Sequence, residues 1–327
     1  MTTGKLGEFG IIKKYFAPLS RTHPGAFELT DDVAVLAPPA GHDLVLKTDA
    51  IVEGVHFLRS DPPATVAKKV LRVNISDFAA KGAIPHAYLL ALALPDWPDE
   101  AWLERFAEGL AEDQREFSVT LVGGDTDRTP GALTAAVMLT GFVPQGTVIR
   151  RSGAKPGDLV FVTGTVGDAG AGLALLKSGS PSHDATGDYL VARYRVPRPR
   201  LAFGQRLRGV ASAALDVSDG LIADLEHMAE VSRVRIAVDA PRVPLSDELT
   251  GLRGRDMPVV AEAATAGDDF EIAFSAPASC RPAIERIAGE TNTRVTEIGR
   301  VSAGEGVALL DDSGQVISLD RHGYTHF

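Results

Sequence analysis

A chain of 327 residues with 45% hydrophobic content can bury substantial cores, and its length favours two domains of ordinary size. Its net charge of -10, with no cluster of Lys and Arg, excludes nucleic acid as the main partner, because backbone binding is driven by clustered cations. No apolar run approaches the roughly 18 residues of a membrane helix, Met1 to Gly10 lacks the order of a signal peptide, and the single cysteine, Cys280, excludes an internal disulfide. A soluble, cytoplasmic protein with no membrane partner is therefore expected.

In chain order, periodicity predicts a helix at Phe9 to Phe16 and strands at Val33 to Ala37 and Leu44 to Val52. Pro62 and Pro63 suit the first turn of a long helix in which Val66, Val70, Val73 and Phe78 recur at helical spacing, with a stop near Gly82 and Pro85. A strand at Ala87 to Leu94 follows, then a helix at Asp99 to Phe117 and strands at Val119 to Val122 and Leu133 to Val143. Arg150 to Asp158, with Gly153, Pro156 and Gly157 among charges, reads as the crossing into a second half, so the domains are placed at 1–147 and 148–327. That half opens with a strand at Leu159 to Thr163, which leads through a glycine-rich run, Gly164 to Gly172, into a helix ending near Lys177. Two helices separated by Pro197-Arg198-Pro199 come next, then a strand at Leu215 to Val217 and a helix at Leu221 to Val231. Strands near Val234 to Val238, Phe270 to Phe274, Arg294 to Val301 and Val307 to Leu310 complete the chain. The fold class is α/β, of α+β type, in two domains.

Short acidic motifs recur along this framework: Thr30-Asp31-Asp32, Lys47-Thr48-Asp49, Asn74-Ile75-Ser76-Asp77, Gly123-Gly124-Asp125-Thr126, Asp216-Val217-Ser218-Asp219-Gly220 and Gly267-Asp268-Asp269-Phe270-Glu271. Each has an ordinary reading beside a functional one. Asp31-Asp32 serves as a turn pair, a glycine pair before Asp125 is an everyday loop, and Ser218 or Asp219 explains itself as the N-cap of the next helix. Against this, Asp49 ends an apolar strand, where a buried charge is costly unless paired or bound to a metal. Asn74 and Asp77 project from one face of a helix that is apolar nearly all round. Three acids in four positions at Asp268 to Glu271 exceed what a turn requires. Mg²⁺ is held by one or two carboxylates with water and substrate phosphates, so repeated Asp residues point to several ions around a nucleoside triphosphate. Bound cations also reconcile an acidic protein with an anionic substrate.

Phosphate binding of the common kinds is excluded. There is no Gly-x-x-x-x-Gly-Lys-Ser/Thr, the run from Gly164 to Gly172 lacks the order Gly-x-Gly-x-x-Gly, and no His-Arg-Asp or Asp-Phe-Gly kinase motif occurs.

Taken in order, these motifs resemble the thiamine-monophosphate kinase family, within the superfamily of aminoimidazole ribonucleotide synthetase, selenophosphate synthetase and the hydrogenase maturation dehydratase. The resemblance starts at Gly7-Glu8-Phe9 and continues through Gly54-Val55-His56-Phe57 and Arg151-Ser152-Gly153-Ala154-Lys155-Pro156-Gly157-Asp158 besides the acidic motifs. It closes at Gly323-Tyr324-Thr325-His326-Phe327. It implies a PurM-like fold of two domains in a homodimer, with the N-terminal mixed sheets pairing across the dimer and the active site in a cleft completed by the C-terminal domain. By position it implies Asp32, Thr48, Asp49, Asp77, Asp125, Asp216 and Asp219 as Mg²⁺ ligands. Gly124, Asp125, Arg151 and Ser218 are implied as contacts to ATP, and His56, Asp268 and Tyr324 as contacts to thiamine monophosphate. Three positions depart from the family pattern: Thr30 stands where glycine is usual, Lys47 where a small hydroxyl residue is usual, and Ala266-Gly267-Asp268-Asp269-Phe270-Glu271 where Gly-Gly-Glu-Asp-Tyr-Glu is usual. A β-branched Thr30 resists the positive φ that glycine permits, so the first metal loop is expected to differ in shape.

The implied reaction is in-line transfer of the γ-phosphoryl group of ATP to thiamine monophosphate between magnesium-bound phosphates, giving thiamine diphosphate and ADP. No dedicated general base is expected, because a phosphate acceptor is already anionic. Selenophosphate synthetase and the hydrogenase protein would carry functional cysteines that this chain lacks. Aminoimidazole ribonucleotide synthetase stands as an alternative, as does a nucleotide-binding regulatory protein that has lost catalysis.

Overall fold

Two α/β units divide the chain, the first comprising Met1–Ile75 and Ile84–Gly146 and the second Ser76–Ala83 and Thr147–Phe327. The computed structural model describes residues 7–179 and 184–325. His326 and Phe327 of the closing motif lie outside the described residues.

The first unit begins with short helical pieces, α1 (Glu8–Ile11) and α2 (Ala17–Ser20), joined by a wider turn over Ile12–Phe16. Its sheet comprises β1 (His42–Val52), β2 (Ile84–Leu94), β3 (Thr120–Arg128) and β4 (Thr134–Pro144), in the order β1-β4-β2-β3. β4 runs antiparallel to both β1 and β2, and β3 runs parallel to β2, so the sheet is mixed. Helix α3 (Pro63–Ala80) starts on its proline, as the sequence predicts, and is buried on nearly every side through Val70, Leu71, Asn74, Ile75 and Phe78. Helix α4 (Glu100–Phe117) is capped by Asp99, whose Oδ1 accepts the Trp102 N–H at 2.8 Å, and stops at Ser118 with φ 55°. The two helices are locked by a buried fork. Arg72 Nε and Nη2 donate to Asp113 Oδ2 and Oδ1, each at 2.7 Å.

Two expectations fail in this unit. Val33 to Ala37 forms no strand. The residues are extended, but Val33 and Val35 stay 62% and 58% exposed and the Val35 N–H bonds the Gly25 carbonyl, so β-branched composition is not matched by a neighbouring ladder. Gly123-Gly124-Asp125 is no loop either, because β3 continues through it alongside β2 after a register shift at Val122. Gly124 makes this possible: a Cβ there would meet the Leu90 carbonyl oxygen, so only glycine lets the strands approach.

In the second unit six strands, β5 (Asp158–Thr163), β6 (Ala213–Asp216), β7 (Arg235–Asp239), β8 (Ile272–Pro277), β9 (Val295–Ser302) and β10 (Gly306–Leu310), lie in the order β10-β7-β9-β5-β8-β6. Only the β10/β7 pair is parallel; the other pairings are antiparallel. Helices α5 (Asp168–Lys177), α6 (Ala185–Arg195), α7 (Leu201–Arg206), α8 (Leu221–Ser232), α9 (Asp247–Arg253), α10 (Met257–Ala264) and α11 (Arg281–Glu290) surround it. Both faces are covered. Val160 and Val162 of β5 join the core that includes Leu221, Leu225 and Met228, while Phe161 between them stacks on Phe274 in the other core. Helices α9 and α10 have no counterpart in the sequence-based expectation, although Ser246 and Asp256 cap them through the Leu249 and Val259 amides.

Candidate functional site

The first unit spreads its candidate residues over separate elements. On β1 the side chains alternate, so Lys47 and Asp49 share one face, with Nζ and Oδ1 3.2 Å apart, while the exposed Thr48 belongs to the other. Thr48 can thus share an ion with Asp49 only through its main-chain carbonyl. The Asp49 amide, at the open edge of the sheet, donates to Asn74 Oδ1 at 2.9 Å, and Asn74 Nδ2 donates to the Val70 carbonyl. Asn74 therefore has a sufficient structural role, since it satisfies a strand edge from inside a helix. Asp125 is exposed on β3, and its Oδ1 accepts the Thr126 N–H. Since β1 and β3 are opposite edges of the sheet, Asp49 and Asp125 stand three strand spacings apart, about 14 Å, too far to share an ion.

Asp31 and Asp32 are exposed. The residue in glycine's usual place, Thr30, keeps φ at -108°, and the positive φ values fall on Phe27, Glu28 and Leu29 instead. Thr30 Oγ1 closes this turn on the Phe27 carbonyl at 2.7 Å. The β-branched residue thus keeps an ordinary φ, and the left-handed conformation lies upstream of it. His56 accepts the Val52 N–H through Nδ1 at 3.0 Å, which leaves the proton of its neutral form on Nε2.

The second unit gathers its motifs. Four main-chain hydrogen bonds stitch three distant segments together: Val217 N–H to the Glu271 carbonyl, Phe270 N–H to Val217, Asp268 N–H to Ser218, and Tyr324 N–H to Asp219, each at 2.8 Å. Packing between the segments is tight enough that a Cβ on Gly267 would lie 2.6 Å from the Ser218 carbonyl oxygen. Ser218, Asp219, Asp268 and Tyr324 thus meet. The Arg150 carbonyl accepts the Ala214 N–H on β6, which brings the exposed Arg151 alongside the strand that ends in Asp216.

The helix cap is not the expected one. Neither Ser218 nor Asp219 caps α8; Gly220 occupies that position without a side-chain bond, and Asp224, a turn into the helix, reaches back. Its Oδ2 accepts the N–H groups of Ser218, Asp219 and Gly220 at 2.9, 3.0 and 3.2 Å. Burial and the Asp219 carboxylate push the Asp224 carboxyl up to about 7, against those three amides.

Asp216 is buried at the end of β6. Burial pushes its carboxyl well above the usual carboxylate range, and the Asp77 carboxylate on the last turns of α3 pushes the same way; the Ser76 hydroxyl opposes them, Asp224 adds to them and Lys81 opposes. The donor set is hard oxygen throughout, and two carboxylates crowded together under burial suit a small dication that would relieve their repulsion. Among the described residues no group of three or more His, Cys, Asp or Glu side chains closes into a metal cage.

The surplus of acids at Asp268 to Glu271 resolves into two kinds. Asp269 and Glu271 are fully buried and structural. Asp269 accepts the Gly167 and Ala169 amides at the start of α5, at 2.7 and 3.3 Å. Glu271 accepts Thr163 Oγ1 at 2.7 Å, Arg200 Nε at 2.6 Å and Arg193 Nη2 at 3.0 Å. Asp268 differs from both in being partly exposed, with φ 69°. Sequence reasoning missed Asp224, Arg193 and Arg200; the signal for Asp224 was an acid a turn into a helix that follows an Asp-Gly.

The family model of AIR synthase related protein matches as an N-terminal domain over residues 30–143 and a C-terminal domain over residues 155–312. Thiamine-monophosphate kinase of Escherichia coli (strain K12) is 41% identical over 324 residues, 98% of each chain. The crystal structure of thiamine-monophosphate kinase from Stenotrophomonas maltophilia K279a superimposes with a TM-score of 0.82 at 39% identity, covering 88% of this chain and 90% of that one. AaThiL complexed with AMPPCP and TMP gives a TM-score of 0.79 at 32% identity over 100% of both chains. With the motifs, the fold and these full-length likenesses agreeing, the chain belongs to the AIR synthase related family and, within it, to the thiamine-monophosphate kinases.

Proposed function

We propose that the protein transfers the γ-phosphoryl group of ATP to thiamine monophosphate, giving thiamine diphosphate and ADP in thiamine diphosphate biosynthesis. The observation that carries this is full-length similarity to AaThiL complexed with AMPPCP and TMP, joined to a chain that keeps the acidic motifs in order. An oxygen of the acceptor phosphate attacks the γ-phosphorus in line. One O–P bond forms as the bond to the β-phosphate oxygen of ADP breaks, and the acceptor needs no base because it is already anionic.

Two unit charges at about 4 Å repel by roughly 4 kcal/mol at an effective dielectric of 20, and several Mg²⁺ ions would offset such repulsion between the two substrates. Asp32, Asp49, Asp125 and the Thr48 carbonyl would hold ions in the first unit, and Asp77, Asp216 and Asp219 in the second. Gly124, Arg151 and the Ser218 hydroxyl would bind ATP; the Ser218 N–H is already given to Asp224. His56, Asp268 and Tyr324 would bind thiamine monophosphate. Incubation with ATP, Mg²⁺ and thiamine monophosphate should give thiamine diphosphate, identified by mass, and chelation should abolish it. ATP binding without product would move the assignment to a regulatory protein.

The working form is a homodimer paired through the N-terminal sheets. Supporting this, the outer face of edge strand β1 exposes Leu44 and Leu46 at 48% and 60%, and Met138 on β4 beside it is 38% exposed. A long apolar edge of this kind is normally covered. Leu46→Glu should yield a monomer by light scattering, and an unchanged dimer would place the interface elsewhere. No described helix is long and apolar enough to cross a membrane, and a single cysteine accords with a cytoplasmic setting.

A further inference from the structure

We propose that Asp224 is a positioning residue that fills the amide pocket before α8 with the protein's own carboxylate, fixing the loop Asp216 to Gly220 so that its oxygens face the cation. Three successive N–H groups, of Ser218, Asp219 and Gly220, converge on one oxygen of Asp224 at 2.9, 3.0 and 3.2 Å. Such a run of amides at a helix start is an anion-binding pocket of the type that cradles phosphate in other nucleotide-binding proteins. Here it is already filled, by a side chain only 4% exposed.

Two consequences follow. Phosphate cannot use these three amides, so at this loop nucleotide would be held through metal and side chains, which suits a chain without a phosphate-binding glycine loop. The loop's carbonyls are in turn fixed from outside: Ser218 accepts Asp268 N–H and Asp219 accepts Tyr324 N–H. With both sides of the main chain bound, the Asp216 and Asp219 carboxylates remain as the groups presented to a cation. Asp224 thus acts through hydrogen bonding and is not a ligand; an outer partner of this sort typically sets metal affinity by about 10- to 100-fold.

The inference rests on the reading of Asp216 and Asp219 as cation ligands. The test measures Mn²⁺ binding to the full chain with ADP by electron paramagnetic resonance, alongside thermal unfolding. Asp224→Asn keeps an acceptor oxygen and should stay within about threefold of wild type in Mn²⁺ affinity, while Asp224→Ala should lose about tenfold or more. Added formate, a carboxylate small enough for the vacated space, should recover much of the loss in Asp224→Ala and leave wild type unchanged. Equal affinity in Asp224→Ala and wild type would overturn the proposal. So would an Asp224→Asn variant that unfolds like wild type yet binds Mn²⁺ about tenfold more weakly, since that would make the carboxylate charge a ligand; this arm decides even where Asp224→Ala fails to fold. A wild-type chain that binds no Mn²⁺ under these conditions would instead overturn the ligand assignment itself.

Discussion

The second unit contains two buried groups of carboxylates, and they are balanced differently. Asp168, Asp269 and Glu271 are interleaved with two guanidinium groups: Arg193 lies 3.0 Å from Glu271 and 3.6 Å from Asp168, and Arg200 grips Glu271 at 2.6 and 2.5 Å. Asp216 instead faces Asp77 and Asp224, with Lys81, whose Nζ donates to the Ala214 carbonyl at 2.7 Å, as the cation acting on it. Burying charge is tolerable when geometry supplies partners and costly when like charges are left together. The first group is therefore closed and holds the fold. The second keeps an excess of carboxyl groups that a proton or a bound cation offsets, and that excess is the physical ground for proposing a cation site there.

Neutralising a member of each group should separate these roles. Asp216→Asn should lower turnover by about 100-fold or more, since it removes a direct ligand from a site that works by electrostatics, while the unfolding midpoint in metal-free buffer stays level or rises because a repulsion is gone. Turnover near wild type would strike Asp216 from the metal set. Arg193→Met should do the reverse and cost about 3 to 5 kcal/mol in urea unfolding, because it strands Asp168 and Glu271 in the interior. A loss under about 1 kcal/mol would mean that Arg200 alone balances the group.

Much of this contrast is legible in the sequence, and the illegible part has a common cause. Strand and helix patterning places β1, α3, α4 and α8 closely, although the apolar Leu44 and Leu46 of β1 lie exposed and α3 is buried on nearly every side. The motif residues Ser218, Asp219, Asp268 and Tyr324 stand out in sequence and meet in space. What escapes is pairing. Nothing local distinguishes Asp269 and Glu271, which are tied to α5, Arg193 and Arg200, from Asp268, since the partners lie about 70 to 100 residues away. Val33 and Val35 mislead for the same reason: propensity gives an extended backbone, but a strand requires a neighbour that only the folded chain supplies.

A smaller effect should appear in ligand-linked stability. If the Asp77 and Asp216 group holds a cation only in the folded state, Mg²⁺ at about 100 times its dissociation constant adds about 2.7 kcal/mol. Wild type should show an upward shift of its thermal midpoint with Mg²⁺, and Asp216→Asn should show markedly less. Equal shifts would place the stabilising ion elsewhere.

The smallest effect tests whether the closed group is fully balanced. Burial pushes the Asp269 carboxyl well above its ordinary 3.8, although Arg193 and the Gly167 amide oppose this, Asp168 adds to it and the Ala169 amide opposes it. A carboxyl raised in the folded state binds its proton more tightly there than in the unfolded chain. Its contribution to stability is thus complete below pH 3.8 and is lost as pH rises through the folded value. Asp269→Asn cannot titrate, so the stability of wild type minus that of the variant should shrink as pH is raised from about 4 to about 8. A difference that grows over this range would mean that Arg193 and the α5 amides outweigh burial, making Asp269 an ionised third carboxylate against two guanidinium groups, held by hydrogen bonds instead of by charge balance, and narrowing the contrast with Asp216.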